Sequence, residues 1–524
     1  MKSIATDIST FPEMIGRGLI YVDKTEKLLD LVVGSSKQFF LARPRRFGKS
    51  LTISTFQAIF EGRRELFKGL AIDRSDYDWK TYPVIRLDMG SCPAATVAEF
   101  REFLFKLLQS EAVRLGVALQ ETTLPSVAFR CLIEETARRS PEGRCVVLVD
   151  EYDKPLLVHL GQPSVEAIRG ELKPFYGVVK YTQEFQRFTF ITGVSKFSKV
   201  SIFSDLNNLV DLTMDARTAT MLGYTHDEVK KYFGEHLAAL GEANGLTSEE
   251  AFDKVVAMYD GYRFHHAAER VVNPVSLGRC FCDREFRSYW YETGTPTFLM
   301  DMLKRRPMDI SNLEISEDEL GSYEPADPAV VPLLFQTGYL TIKTMETMGD
   351  LRLYRLGFPN GEVRAAFNRS LVPVYTHVDE FRKTSAQVAC IRALQAHDLE
   401  TFFDSLSVFF ANIPYDLTDR QNEQTWQAIL VTLLTFVGAD VQAEDRTNVG
   451  RIDAVITCPA EIYVVEVKLD KTAADALAQI KAKRYHEKFL SSGKRVTLLG
   501  MNFSSEKRAV DDWTSEMVEP ESRI

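Results

Sequence analysis

Cysteine is scarce in this chain, seven residues in 524, too few for a disulfide scaffold. The one close pair, Cys280 and Cys282, has no second pair to complete a zinc site. Reduced thiols in a cytoplasm are the simplest reading. Long apolar runs are missing as well. The longest, near Ile429 to Val437, is broken by Thr432 and Thr435 and reaches about half of the ~20 residues that cross a bilayer. Met1 to Asp7 lack the apolar core of a signal peptide. A soluble, cytoplasmic protein without membrane contact is expected. Positive charge is not in surplus either: 63 Lys and Arg face 73 Asp and Glu, for a net charge of −10. That balance excludes a protein that coats nucleic acid by bulk attraction, while a local basic surface stays compatible with it. No internal repeat and no low-complexity tract is present.

What is present is ordinary globular composition, 45% hydrophobic and 26% charged, with a rhythm that changes twice. Up to about residue 225, apolar runs alternate with helical patterns, which predicts an α/β fold with a parallel sheet covered by helices. The strand candidates are Gln38–Ala42, Val84–Asp88, Cys145–Val149 and Phe188–Gly193. Helices are expected from Ser50 to about Glu61 and from Val97 to Leu115. Residues 226–380 read as a mostly helical lid or adaptor with aromatic patches, among them Tyr259-Asp260-Gly261-Tyr262-Arg263-Phe264. Residues 381–524 form a third region. Two helices (Leu399–Phe410 and Asn422–Val437) precede strand-like runs at 440–443, 451–457 and 462–469, a helix Ala473–Lys488 and a strand Arg495–Met501.

Chemistry concentrates in two places. The first is the turn Arg43-Pro44-Arg45-Arg46-Phe47-Gly48-Lys49-Ser50, set between a strand and a helix. This is the context of a P-loop, in which backbone N–H groups and a helix N-terminus cradle phosphate. Lys49 would reach the outer phosphates and the Ser50 hydroxyl would ligate Mg²⁺. Arg43 stands where the general pattern has its first glycine. Arg45 and Arg46 add further cations, and three guanidinium groups at one mouth favour a polyphosphate. The alternative is that one or more of them pairs with a local acid such as Asp23 or Asp153. About 100 residues later the apolar run Cys145–Val149 ends in Asp150-Glu151-Tyr152-Asp153. An acid there lies at the ligand end of a doubly wound sheet. Asp150 would hold Mg²⁺ through water, and Glu151 would orient the attacking water as a base. Thr192-Gly193-Val194-Ser195 would bring a polar side chain near the outer phosphate.

The second place is Gly450-Arg451-Ile452-Asp453 followed by Glu466-Val467-Lys468. Glu466 and Lys468 share a strand face. If the two runs pair as a hairpin across Cys458–Glu461, Asp453 and Glu466 meet on that face. Two close carboxylates resist joint ionisation unless a divalent cation lies between them. With Mg²⁺ there, a phosphodiester is polarised while Lys468 stabilises charge or positions water. The competing reading is a hairpin with ordinary surface charges. From Gln479 to Arg508, eight basic residues stand against Glu487 and Glu506. This stretch reads either as a solvated face or as a track for a nucleic-acid backbone.

Tyr21-Val22-Asp23-Lys24-Thr25, the turn 43–50, Asp150-Glu151-Tyr152-Asp153, Thr192–Ser195 and Leu206-Asn207-Asn208-Leu209 together resemble the bacterial and archaeal AAA-ATPase-like family, over roughly residues 5 to 225. In that family Arg-Pro-Arg-Arg-Phe-Gly-Lys replaces the glycine turn, so the resemblance accounts for Arg43 and implies ATP. The stretch from about 380 to 510 resembles the PD-(D/E)XK nuclease superfamily, with Asp453, Glu466 and Lys468 at the matching positions. Gln479 and Tyr485 then become secondary site residues and Glu423 a further carboxylate. The resemblances imply an ATPase joined through the middle region to a Mg²⁺-dependent nuclease-like domain acting on DNA, or less readily RNA. The alternative is a nucleotide-driven switch that binds nucleic acid, or a protein partner on the middle region, without cleavage. Assembly into oligomers is compatible with either.

Overall fold

The computed structural model describes residues 1–518 except 93–95, 198–207, 291–296, 306–307, 309, 311–312, 322–328, 377–379, 411–412, 414–428, 431, 435, 437–439, 448–449 and 508. The chain divides into two compact units. One comprises Met1–Tyr289, Ile315–Arg355 and Pro359–Gly361, and the other Trp290–Glu314, Leu356–Phe358 and Glu362–Ile524. The stretch 226–380 is shared between them.

In the first unit, β1 (Gln38–Ala42), β2 (Val84–Asp88), β3 (Cys145–Asp150), β4 (Gln186–Gly193) and β5 (Val210–Asp211) form a wholly parallel sheet. Every residue of β1 and β3 is buried, as apolar strands covered on both faces should be. The spatial order is β2-β3-β4-β1-β5, so β4 separates the strand that carries the turn 43–50, the phosphate turn of the sequence expectation, from the strand that ends in Asp150. Helices Lys49–Phe60 and Val97–Leu115 follow β1 and β2. The second opens with a capping box between Thr96 and Glu99 and closes on Gly116 in the left-handed region. Ile20 and Val22 pack into one apolar cluster with Val229, Phe233, Val255, Tyr259 and Leu277, which ties the segment ahead of β1 to residues well past 225. Beyond that, β6 (Leu313–Ser316), β7 (Thr341–Met348) and β8 (Leu351–Gly357) make a small sheet in the order β6-β8-β7, so the middle stretch is helical but not wholly so.

The second unit holds β9 (Asp440–Thr447), β10 (Gly450–Thr457), β11 (Glu461–Leu469), β12 (Arg495–Ser504) and β13 (Ala509–Val518). They lie in the order β13-β12-β11-β10-β9, with only β11 and β12 parallel. Helix Ala473–Ala482 makes that crossover. It is shorter than its sequence pattern. Ile480 and Tyr485 both enter the core cluster of Val455, Val464, Val496 and Leu498. Five residues apart on a helix they would face about 140° away from each other, so the chain leaves the helix, with Arg484 at φ 53°. The expected helix Asn422–Val437 lies largely outside the described residues, and β13 has no counterpart in the sequence reading. Among the described residues no helix is long and apolar enough to cross a membrane.

Candidate active sites

The phosphate turn hangs between β1 and helix Lys49–Phe60. Gly48 takes φ 93° as the N-terminal cap, and no side chain caps the helix. That φ favours glycine, and the first helical N–H groups, lacking intrahelical acceptors, are available to an anion. Arg46 is also left-handed, at φ 66°, and left-handed residues of this kind are part of the backbone pattern from which anion-binding nests are built. Lys49 is 7% exposed. Its Nζ donates to the carbonyls of Arg43 (3.0 Å) and Pro44 (2.9 Å). Burial lowers its pKa, opposed by Asp150, Asp153 and Glu151.

Asp150 is 1% exposed at the end of β3. Burial raises its pKa, and the Ser50 hydroxyl, hydrogen-bonded to it, pulls the other way. Serine and aspartate therefore meet although their strands are not neighbours. A hydroxyl and a carboxylate joined in this way are hard oxygen donors of the kind Mg²⁺ takes. Glu151 follows at φ 49°, a strained conformation for a side-chain-bearing residue. Its Oε2 and the Asp88 Oδ1 lie 2.9 and 3.0 Å from where a side chain at Gly90 would begin. Asp88, opposite Asp150 in the β2–β3 register, is an acid of this site that the sequence reading left among ordinary strand residues. Its signal was position alone, the last residue of a strand next to an Asp-terminated one.

Three sequence expectations change here. Arg43 does not face the mouth: it is buried, and its guanidinium donates to the carbonyls of Ala42, Thr213 and Thr218. Of the three arginines, Arg45 is exposed and Arg46 half-buried, and Arg45 is near enough to Lys49 to depress its pKa. Asp153 forms no ion pair with an arginine among the described residues. Fully buried, it accepts the N–H groups of Val194 (3.0 Å) and Ser195 (2.6 Å), and burial pushes its pKa up to about 6. Thr192 turns its hydroxyl to the Leu41 carbonyl (2.8 Å), so within this stretch the buried hydroxyl with no hydrogen-bond partner among the described residues is Ser195 Oγ. Of Leu206–Leu209, the first two lie outside the described residues.

In the second unit the hairpin forms as read. Ala454 pairs with Val465 and Val455 with Val464, so one step further the register sets Asp453 opposite Glu466. Asp453 Oδ2 accepts the Val467 N–H (2.8 Å). Glu466 is 2% exposed. Lys468 Nζ donates to Glu466 Oε1 (3.0 Å) and to Gln479 Oε1 (2.7 Å), and Gln479 Nε2 donates back to Glu466 Oε1. Burial, then repulsion from Asp453, raises the Glu466 pKa to about 7, against the pull of Lys468 and Gln479. Glu466 Oε2 is buried and has no hydrogen-bond partner among the described residues. An orphan carboxylate oxygen beside a second carboxylate is what a divalent cation would satisfy, so Asp453 and Glu466 fit that role. Among the described residues no group of three or more His, Cys, Asp or Glu is clustered for a metal. Glu423 lies outside the described residues. Gln479 joins the site, whereas Tyr485 is 2% exposed within the apolar cluster. The basic segment is partly neutralised, Lys481 pairing with Glu516, Arg484 with Glu487 and Lys507 with Asp511.

The pattern of a family described as "Predicted AAA-ATPase" matches residues 5–203, and that of the "PD-(D/E)XK nuclease superfamily" matches residues 421–513. The chain is also similar to an "Uncharacterized protein in vnfD 5'region" of Azotobacter chroococcum mcd 1. The two are 36% identical over 525 aligned positions, covering 97% of this chain and 98% of that one.

Proposed function

Because the chain belongs to the AAA-ATPase-like family with a C-terminal PD-(D/E)XK nuclease superfamily domain, we propose that it binds and hydrolyses ATP and cleaves nucleic-acid phosphodiesters, with DNA as the preferred substrate. The single observation that carries the nuclease reading is Glu466: a buried carboxylate facing Asp453, held on one oxygen by Lys468 and Gln479 and, among the described residues, without a partner on the other.

At the first site Lys49 would exchange the Arg43 and Pro44 carbonyls for the outer phosphates. Ser50 and Asp150 would hold Mg²⁺, Arg45 and Arg46 would face the polyphosphate, and the amides after Gly48 would cradle it. Glu151 would orient a water and take its proton as the water oxygen bonds to the terminal phosphorus and the bond to the bridging oxygen breaks, releasing ADP and phosphate. At the second site Asp453 and Glu466 would hold Mg²⁺, Gln479 would fix the Glu466 carboxylate, and the Lys468 ammonium would offset charge developing on the phosphate. Water adds to phosphorus, one P–O ester bond breaks, and the products are a phosphate-ended and a hydroxyl-ended strand. When bound, Mg²⁺ supplies phosphate polarisation and a more acidic water at each site.

The test is purified protein with Mg²⁺ on DNA and on RNA, with and without ATP, beside Asp453→Ala and Lys468→Ala. Cleavage by wild type alone supports the reading. Intact nucleic acid that is nevertheless shifted in gels favours the switch without cleavage.

A further inference from the structure

Arg43 replaces a glycine, and its side chain performs a task that glycine has no atoms for. Besides its three carbonyl acceptors, the guanidinium lies 4.2 Å from the ring centroid of Phe264, and Phe264 belongs to the aromatic stretch to which the sequence assigned no chemistry. The same stretch grips the turn a second time. Phe47, one residue before Gly48, meets Tyr262 edge-on at 4.8 Å between centroids and Phe264 at 5.4 Å. A third grip comes from residue 338. A Cβ on Gly338 would stand 2.7 Å from Pro44 Cβ and 3.5 Å from the Tyr262 ring, so a bare backbone is needed for the turn to seat there. The loop after β4 is tied to the same neighbourhood, since the Lys196 N–H donates to Gln336 Oε1 at 2.7 Å. The two gripping segments are joined by the Arg263 N–H, which donates to Thr341 Oγ1 at 2.7 Å.

We propose that the segment Tyr259–Phe264 positions the phosphate turn, with Arg43, Tyr262 and Phe264 as positioning residues, so that nucleotide occupancy and the order of this segment are two sides of one coupled equilibrium. This rests on the nucleotide-binding reading of the turn. The physical argument starts from Lys49, whose ammonium is held by the carbonyls of Arg43 and Pro44, the two residues whose side chains are gripped from outside. When Lys49 turns to a phosphate, those carbonyls lose their donor, and the turn keeps its shape only if something else fixes residues 43 and 44. The guanidinium on Phe264 and the close approach of Gly338 to Pro44 supply that fixing. Because coupling is reciprocal, whatever strengthens the grip raises nucleotide affinity, and nucleotide in turn tightens the grip.

The experiment uses the full chain, ATP with Mg²⁺ as ligand, and two measurements: nucleotide affinity by calorimetry, and amide hydrogen exchange of residues 259–264 and 336–341. Phe264→Leu keeps an apolar side chain but removes the ring face, and affinity should fall about tenfold, in line with loss of a desolvated cation–π contact. Phe264→Tyr keeps the face and should restore affinity to within about twofold of wild type. ATP should slow exchange in both segments of wild type and Phe264→Tyr, and should not do so in Lys49→Ala. If Phe264→Leu is folded and binds ATP as wild type does, or if ATP leaves exchange of both segments in wild type unchanged, the proposal is overturned. Should Phe264→Leu not fold, the exchange measurement on wild type decides alone. Loss of ATP binding in Lys49→Ala together with a normal Phe264→Leu would sink this inference and spare the nucleotide reading, whereas unchanged binding in Lys49→Ala would sink both.

Discussion

The two sites solve the same problem, keeping charge close to charge in a dry interior, by opposite means. At the first site the strain is in the backbone. Arg46 in the turn and Glu151 after β3 both take positive φ, and the buried lysine is satisfied by carbonyls that its own loop turns inward. At the carboxylate hairpin Asp453, Glu466 and Lys468 lie on regular strands with no positive φ, and the tension is between side chains, visible as a Glu466 pKa of about 7. A loop-built site can reshape when its ligand arrives. A strand-built site is held by a ladder of hydrogen bonds and answers mainly by changing protonation.

Breaking each site separately gives the largest expected effects. Lys49→Ala should lower ATP turnover by about 100-fold or more, since it removes the cation aimed at the phosphates, and should leave nucleic-acid cleavage without ATP unchanged. Asp453→Ala should do the converse, lowering cleavage by about 1000-fold with steady-state ATP turnover intact. Cleavage lost in Lys49→Ala even without nucleotide would show that the sites are not independent.

A sharper contrast lies in what each site tolerates. Gly193→Ala would place a Cβ 2.3 Å from Asp153 Oδ1 and 2.6 Å from the Tyr152 ring, both fully buried. A loss of about 2–3 kcal/mol in urea unfolding is expected from such overpacking.

The next effect is on pH. Folding raises the Glu466 pKa from 4.5 to about 7, so the folded state holds a proton that the unfolded state has released between those values. Without divalent metal, that contribution to stability is present below about pH 4.5 and is lost as pH rises through about 7. Melting in chelator should therefore occur at lower temperature at pH 8 than at pH 5.5, by several degrees, on the order of a few kcal/mol of linkage. Mg²⁺ should shrink the difference, and Glu466→Gln should flatten it. The smallest effect is expected at Lys481, whose pair with Glu516 is about half exposed. Lys481→Ala should change stability by less than about 1 kcal/mol, and nucleic-acid affinity should become measurably less salt-dependent if that lysine meets a phosphate.

Much of this was legible because both motifs are local. β1 and its turn, the acids ending β3, and the alternation of Glu466 with Lys468 lie within short windows where period and residue type suffice. What escaped depends on distance along the chain. Arg43 reads as a free cation until Thr213, Thr218 and Phe264, 170 or more residues later, close around it. Asp88 is one acid among many until the register puts it opposite Asp150. The basic track looked more highly charged than it is because Asp511 and Glu516, its partners on β13, lay in a strand the sequence pattern did not reveal. The helical pattern Ala473–Lys488 outruns the helix itself because Tyr485 leaves the helical phase to reach the core.

One strand holds the first site's two halves apart. β4 lies between β1 and β3, hydrogen-bonded to both along its length, and its far end is latched by Asp153. Within the sheet, the strand that leads to Lys49 and the strand that ends in Asp150 are therefore spaced by one shared neighbour, and they meet only beyond its end, where the Ser50 hydroxyl reaches Asp150. The backbone just past β4, held by the Asp153 carboxylate, sets the floor over which that meeting takes place.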